Sequence, residues 1–446
     1  MKKTIVLCFA IIFIMMLMVC AAEKTKKIEQ TSKNEKAVKT EKPEEQYLQW
    51  LKEGTSKEKQ MAAKELGKLK DPAALPALRE ALKDQEKKVR EAVIQALIEI
   101  PGKESVAALS IAFDDPDTSN RETAIKGLVK KYIPEPKSGI KQILNTIMDY
   151  FTLSEETKMI EPWIKIEPEA AIALTKRLSE GKPILIVAID AIHSLRVYSA
   201  IPDLIKAMRG DEDTIVAILK TFADFKVQSV GENITPLLLS KNDNVVGYAS
   251  YCLGKINYAP AIPSLINLYN YSADIKYQKY ALIGLSLLAA KDATKLFHAN
   301  LTSSDPEFRV IAAEAFGRLG DTVFTEEVAR AFLNEQNIKV KLAMDFALFK
   351  LGRKEHMMDL IKALDAEYDL IKPYIIECGA DGFAEISRYL PNLPTSTKIK
   401  LIKIMGYSYN PAAIKYLEPY LNDVDIDIAT SSFEAIKRLK KIEEIK

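Results

Sequence analysis

A helix-turn-helix joint written many times constrains this chain more than any other feature. "LGKLKDPAALPAL" runs from Leu66 to Leu78, and versions of it return as "LRVYSAIPDL" from Leu195, "KINYAPAIPSL" from Lys255 and "MGYSYNPAAIKYL" from Met405. Anchored on the apolar residue in the Leu66 slot, the series is Leu66, Leu97, Leu128, Ile160, Ile192, Ala223, Leu253, Leu285, Phe316, Leu348, Cys378, Met405 and Ile436. The steps are 30 to 32 residues, except for one of 27 between Cys378 and Met405. A unit of this size cannot cover its own apolar faces, so neighbours must stack into one continuous core. A period that survives across nearly the whole chain leaves no room for a separate catalytic domain.

Within a unit the period is helical. In "VREAVIQALIEI", Val89, Ala92, Val93, Ala96, Leu97 and Ile100 fall on one side of a 3.6-residue helix, and Arg90, Glu91, Ile94, Gln95 and Ile98 on the other. The joint supplies the breaks. Asp71 can cap, Pro72 cannot continue the preceding helix, and Pro76 is tolerated only in a first turn. The fold class is therefore all-α: an α-solenoid, a superhelix of about thirteen stacked helix pairs of roughly 31 residues. It should occupy residues 46–446, with 133–183 keeping the period but losing the consensus at Pro134, Pro136, Pro162 and Pro168.

The repeats resemble the HEAT-like repeats of the phycobilisome-lyase type. The similarity is carried best by "LGKLKDPAALPALREALKDQEKKVREAVIQAL" and "FRVIAAEAFGRLGD" and extends over about Tyr47 to Ile445. Family units carry an aspartate six residues before an arginine, a spacing met by Asp84 with Arg90 and by Asp115 with Arg121. The resemblance implies that these pairs form a structural ladder between repeats. It also implies that the second helix of each unit lines the concave face, where a partner would dock. The basic column continues in Lys59, Arg309, Lys341 and Lys398, while its acidic counterpart is Glu53 or Glu335 in some units and Ser303 or Asn392 in others, which predicts an interrupted ladder.

One second helix departs from the others. "NIKVKLAMDFALFKL" puts Val340, Ala343, Met344, Ala347, Leu348 and Leu351 on the core side, leaving Leu342, Phe346 and Phe349 outward at i, i+4, i+7. Two readings stay open. Either the next layer covers this second stripe, or it is a partner groove that Tyr251 and Ile283, in the outward slot of Phe346, extend. Tyr248 and Tyr280 share a slot with Ala92 and Ala343 and read as core.

Chemistry is sparse. The three histidines, His193, His298 and His356, occupy slots equivalent to Gly67, Arg79 and Ala74, so they share no column, and neither a metal nor a cofactor is expected. No phosphate loop, nucleophile elbow or paired-cysteine motif appears. Gly67, Gly254, Gly317 and Gly406 share one slot near a helix end and read as close packing; "DDPD" at 114–117 reads as capping. With 63 Lys plus Arg against 61 Asp plus Glu, there is no basic excess for nucleic acid.

The first 22 residues, "MKKTIVLCFAIIFIMMLMVCAA", form a secretory signal: two lysines, an apolar run and small residues. Cleavage fits after Ala21 or Ala22. Alternatively Cys20 is the acylated first residue of a lipoprotein, although Val19 is bulkier than the residue a lipobox usually carries there, or the segment stays as an anchor. Residues 23–45 hold seven lysines and six glutamates and read as a disordered charged tether. All three readings put the body in the periplasm or cell envelope, with membrane contact only through this terminus. Cys252 and Cys378, four units apart, are too distant to bridge. The functional reading is a non-enzymatic scaffold that binds a protein or peptide along its concave face. A chromophore-lyase-type enzyme and a purely structural spacer are the alternatives; export argues against the lyase, whose tetrapyrrole-loading partner would be cytoplasmic.

Overall fold

A computed structural model describes residues 43–133 and 165–443. The signal segment with Cys20, the tether up to residue 42, and residues 134–164 of the degenerate stretch lie outside the described residues. Among those described, every regular element is helical, giving an all-α solenoid fold. No described helix is long and apolar enough to cross a membrane. The chain divides into two compact units, Met1–Ala108 and Leu109–Lys446.

The first described helix, Pro43–Glu53, starts three residues before the boundary set from sequence. Pro43 suits a first helical position, and Glu44 and Glu45 face the positive end of the helix dipole, so the tether's last residues are helical. The next helix, Ser56–Leu69, starts with a capping box between Thr55 and Glu58. Lys70 then takes a left-handed conformation (φ 55°), the Asp71 side chain accepts a hydrogen bond from the Ala73 amide, and Pro72 opens a 3-10 turn. Pro76 sits in the first turn of Leu75–Ala81, as the joint requires. The closing helix, Lys87–Glu99, packs on Ser56–Leu69. Ile94 and Ile98, assigned to its polar side, are both buried, because this helix is covered on more than one face.

The same joint recurs in the second unit, with left-handed residues at Arg196, Lys226, Asn257, Ala289, Gly320, Gly352 and Tyr409. The second helices Ile184–Ser194, Glu212–Phe225, Asp243–Lys255, Ile275–Leu287, Pro306–Leu319 and Ile338–Lys350 pack against one another in series. Contact between them is close enough that side chains are excluded at the glycine slot. A Cβ on Gly317 would lie 2.9 Å from Ala347 Cα, and one on Gly406 would lie 2.6 Å from Ala435 Cβ.

One joint is built differently. Tyr368–Tyr389 is two helices run together across a kink at Gly379 (φ 59°, ψ −144°), a conformation that only glycine adopts without strain. Between Leu69 and Leu75 the usual joint takes five residues; between Cys378 and Ala380 it takes one. Measured from the anchor, the next helix starts two residues after Cys378 but nine after Leu66, and the helix and turn that follow are three residues longer, which together make a step of 27 rather than 31. Cys378 lies just before the kink, and both it and Cys252 are free and buried. Burial pushes the Cys378 thiol up to about 12 and raises that of Cys252 as well.

Candidate partner-binding face

The outward stripe of the Ile338–Lys350 helix is not exposed. Leu342, Phe346 and Phe349 are 2%, 0% and 1% accessible, which corrects the groove reading for these three residues. The next layer covers it: Tyr374, in the helix segment that precedes the Gly379 kink, lies over the stripe with its ring stacked on Phe346 at 4.8 Å and 16°. The Tyr374 hydroxyl donates to Glu314 Oε1 (2.7 Å). Glu314 accepts from Arg318 (3.0 Å), and Arg318 donates twice to Glu377, at 2.9 and 3.0 Å. This polar roof closes the face that the sequence leaves open. Its members escaped sequence reasoning because no slot pattern links positions 314, 318, 374 and 377.

Tyr251 and Ile283 remain half-buried on their second helices. Tyr248 and Tyr280 are half-buried too, so they belong to the surface rather than the core. The missing side chain at Gly247 leaves room for the Tyr280 ring, which would lie 3.1 Å from a Cβ built there. Cations lie over this aromatic strip: Lys220 Nζ is 4.7 Å from the centre of the Tyr248 ring, and Lys255 Nζ is 5.7 Å from that of Tyr251. Lys220 also lines a cleft of about 270 Å³ with Asp190, His193, Asp213, Val216 and Ala217. His193 Nε2 lies 2.6 Å from Asp224 Oδ2 at this cleft, and burial tends to raise the Asp224 carboxyl while the histidine outweighs it and holds it low. The result is a shallow strip of tyrosine rings, lysines and carboxylates on second helices, with no nucleophile and base in register for covalent chemistry.

The ladder positions hold the stack together differently from the spacing argument. Arg90 Nη1 donates to the main-chain carbonyls of Asp84 (2.8 Å) and Gln85 (3.0 Å), while the Asp84 carboxylate pairs with Lys59 of the preceding repeat at 2.8 Å. Arg121 repeats the first half, donating to the Asp115 carbonyl at 2.8 Å, and pairs with Glu180 at 3.3 Å. The Asp115 carboxylate accepts from Asn120 and from the Asp117 amide. Arg309 shows both halves at once: it donates to the Ser303 carbonyl (2.7 Å) and to both oxygens of Glu335 (2.7 and 3.0 Å). Because any residue supplies a carbonyl, Ser303 does not interrupt this half of the ladder. Burial works to raise the Asp84 carboxyl, but the Lys59 bond and the Glu86 amide outweigh it and hold it below the ordinary range; the Arg309 bonds do the same for Glu335.

Replacing Arg90 by alanine strands these carbonyls and should cost about 1.5 to 3 kcal/mol, the range for hydrogen bonds to a charged group. The check is a urea midpoint. A midpoint equal to that of the unmodified chain would remove Arg90 from the structural ladder.

All three histidines pair with carboxylates from a neighbouring helix: His193 with Asp224, His298 with Glu327, and His356 with Asp345. Comparing the histidine slots only with one another misses these partners. The turn at 114–117 does cap: the Asp117 side chain accepts from the amides of Ser119 and Asn120.

Comparison with solved structures returns matches at low identity. An engineered protein is 17% identical with a TM-score of 0.37, over 89% of this chain and 98% of that one. Importin beta is 12% identical with a TM-score of 0.47, over 95% and 68%. Kap121p is 13% identical with a TM-score of 0.41, over 90% of this chain but 46% of its own, so the chain spans about half the length of that protein. No curated protein matches the chain. Residues 44–129 match a protein-family model, and that model describes HEAT repeats.

Proposed function

We propose that this chain is a non-enzymatic scaffold that binds a protein or peptide along the face lined by its second helices. It works outside the cytoplasm, delivered there by the N-terminal segment and either released or held at the membrane through Cys20. The observation that carries the binding role is the half-exposed strip of Tyr248, Tyr251, Tyr280 and Ile283, flanked by Lys220 and Lys255. Tyrosines spend little conformational entropy on contact and supply both ring area and a hydroxyl, so they anchor protein interfaces well. A spacer whose length is its function gains nothing from leaving such rings half-covered.

The test begins with crosslinking from cell-envelope fractions to identify the bound protein. Tyr251→Ala should then weaken its binding at least about tenfold, an anchor-sized loss. The melting temperature should stay within a degree or two, because Tyr251 is not a core residue. Unchanged affinity in Tyr251→Ala and in Ile283→Ala would move the docking site elsewhere.

A further inference from the structure

A carboxylate placed inside a packed helix needs a reason. Asp345 stands in the middle of Ile338–Lys350, between Met344 and Phe346, and is 3% exposed. An ionised carboxylate at such a site is costly unless it is paired, hydrogen-bonded or bound to a cation. Its neighbours come from the following helix, His356–Ala363. His356 opens that helix and Asp359 follows at i+3, so the two side chains share one face. His356 Nδ1 lies 2.7 Å from Asp345 Oδ1. One donor atom from each of Asp345, His356 and Asp359 lies within 4.8 Å of the other two, and this is the one such triad among the described residues.

The surroundings favour a held site over an incidental hydrogen bond. Phe332 meets the His356 ring edge-on at 5.2 Å and 85°, which fixes the imidazole plane and shields one side from water. Asp359 is 46% exposed, which leaves an approach from solvent, and its carboxylate is held by Lys362 at 3.1 Å. Lys341, one turn before Asp345, brings a positive charge that a bound cation has to outweigh, with its Nζ over the Phe332 ring. The other two histidine pairs serve as internal comparisons. His193 and His298 each meet a carboxylate on a partly exposed surface, and neither forms a triad.

We infer that Asp345, His356 and Asp359 form a binding site for a divalent transition metal of the zinc class, bridging a second helix and the helix that follows it. Donors around such an ion lie about 2.0 to 2.2 Å from it and so about 3 to 4 Å from one another; the exposed Asp359 turns in to reach this spacing, and the His356–Asp345 contact, 2.7 Å here, opens to admit the ion. One imidazole nitrogen with two carboxylate oxygens suits zinc; an all-oxygen set would suit calcium or magnesium, and thiolates would suit copper(I). Two carboxylates and a neutral imidazole balance the 2+ charge. Metal binding requires both carboxylates ionised and the imidazole nitrogen unprotonated, so it competes with the His356–Asp345 hydrogen bond. Three protein donors leave room for water, so the ion would be open to a further ligand.

The test is calorimetric titration of the chelator-treated full chain with zinc chloride, accompanied by cobalt(II) absorption spectra. One equivalent should bind, with cobalt bands in the visible. Asp359→Asn should weaken zinc at least tenfold and His356→Gln at least a hundredfold, while the double variant His193→Gln/His298→Gln should bind as the unmodified chain does. Asp359 is half-exposed, so its variant folds, and circular dichroism checks this. Either of two results overturns the assignment: the folded chain taking up no stoichiometric zinc, or zinc bound equally well by Asp359→Asn and His356→Gln.

Discussion

Phe346→Ala should lower the unfolding free energy by about 3 to 5 kcal/mol, the range for truncating a fully buried aromatic ring. Every neighbour of the ring argues that the cavity would persist. On one side Tyr374 stacks on it, pinned by its own hydroxyl bond to Glu314. On another, the bare Gly317 position lies against the ring edge, at 3.0 Å from a Cβ built there, so the adjacent helix has no side chain with which to fill the gap. Collapse would require the Pro306–Leu319 helix to move as a whole. Equilibrium denaturation in guanidinium measures the loss, and the slope of the transition should stay unchanged because the surface exposed on unfolding is nearly the same. A loss below about 1 kcal/mol, the scale of a conservative core change, would mean that the ring is not the packed core residue described here. Affinity for a partner, measured on the folded fraction, should be unaffected, in contrast to Tyr251→Ala.

The contrast between Phe346 and Tyr251 shows what the sequence makes legible. Both occupy one outward slot, and helical period alone gives them one role. The period is a local property, fixed by 3.6 residues per turn, so it reports the second helices and the glycine column, but not the burial of Ile94 and Ile98 or the half-exposure of Tyr248 and Tyr280. What covers an outward slot depends on the path of the chain about thirty residues later. In the case of Phe346, that path places Tyr374 of the next second helix over the ring, whereas Tyr251 stays half-buried. The shortened step between Cys378 and Met405 is visible in the sequence, but its geometric consequence is not. The joints show the same limit. Their prolines and capping aspartates can be read directly, whereas the left-handed residue before them is Lys70, Arg196, Lys226, Ala289 or Tyr409, types that do not announce that conformation, Asn257 being of a type that does. The ladder is half legible: the basic column stands out, but its main-chain acceptors carry no residue signature. The triad of Asp345, His356 and Asp359 combines a buried position, in the slot of Ile94 that the helical period assigns to the polar side, with two residues of the next helix, and no spacing rule within a single helix contains it.

Arg318→Ala should cost about 3 kcal/mol or more, by removing the one cation from a group of acids that was built around it. Arg318 is mostly buried, and it joins three repeats: it donates to Ser286 Oγ (2.8 Å), to Glu314 in its own helix, and to both oxygens of Glu377 beside the Gly379 kink. Burial alone would lower its pKa, but Glu314 and Glu377 outweigh that and raise it further, so the guanidinium stays charged. Without it, Glu314 and Glu377 face each other across Tyr374, whose phenol burial keeps protonated. Glu377 is 36% exposed and can turn to water, whereas Glu314 is 18% exposed and has less freedom, so the loss falls at the lower end of the range for a broken buried pair. Arg318→Lys should recover only part of it, since an ammonium cannot span both oxygens of Glu377 and still reach Ser286. Because Tyr374 belongs both to this network and to the cover of Phe346, the two losses should not add. The double variant Phe346→Ala/Arg318→Ala should be less destabilised than the sum of the single variants by at least about 0.5 kcal/mol. Strict additivity would show that the polar roof and the apolar stripe beneath it are independent, and that Tyr374 does not tie them together.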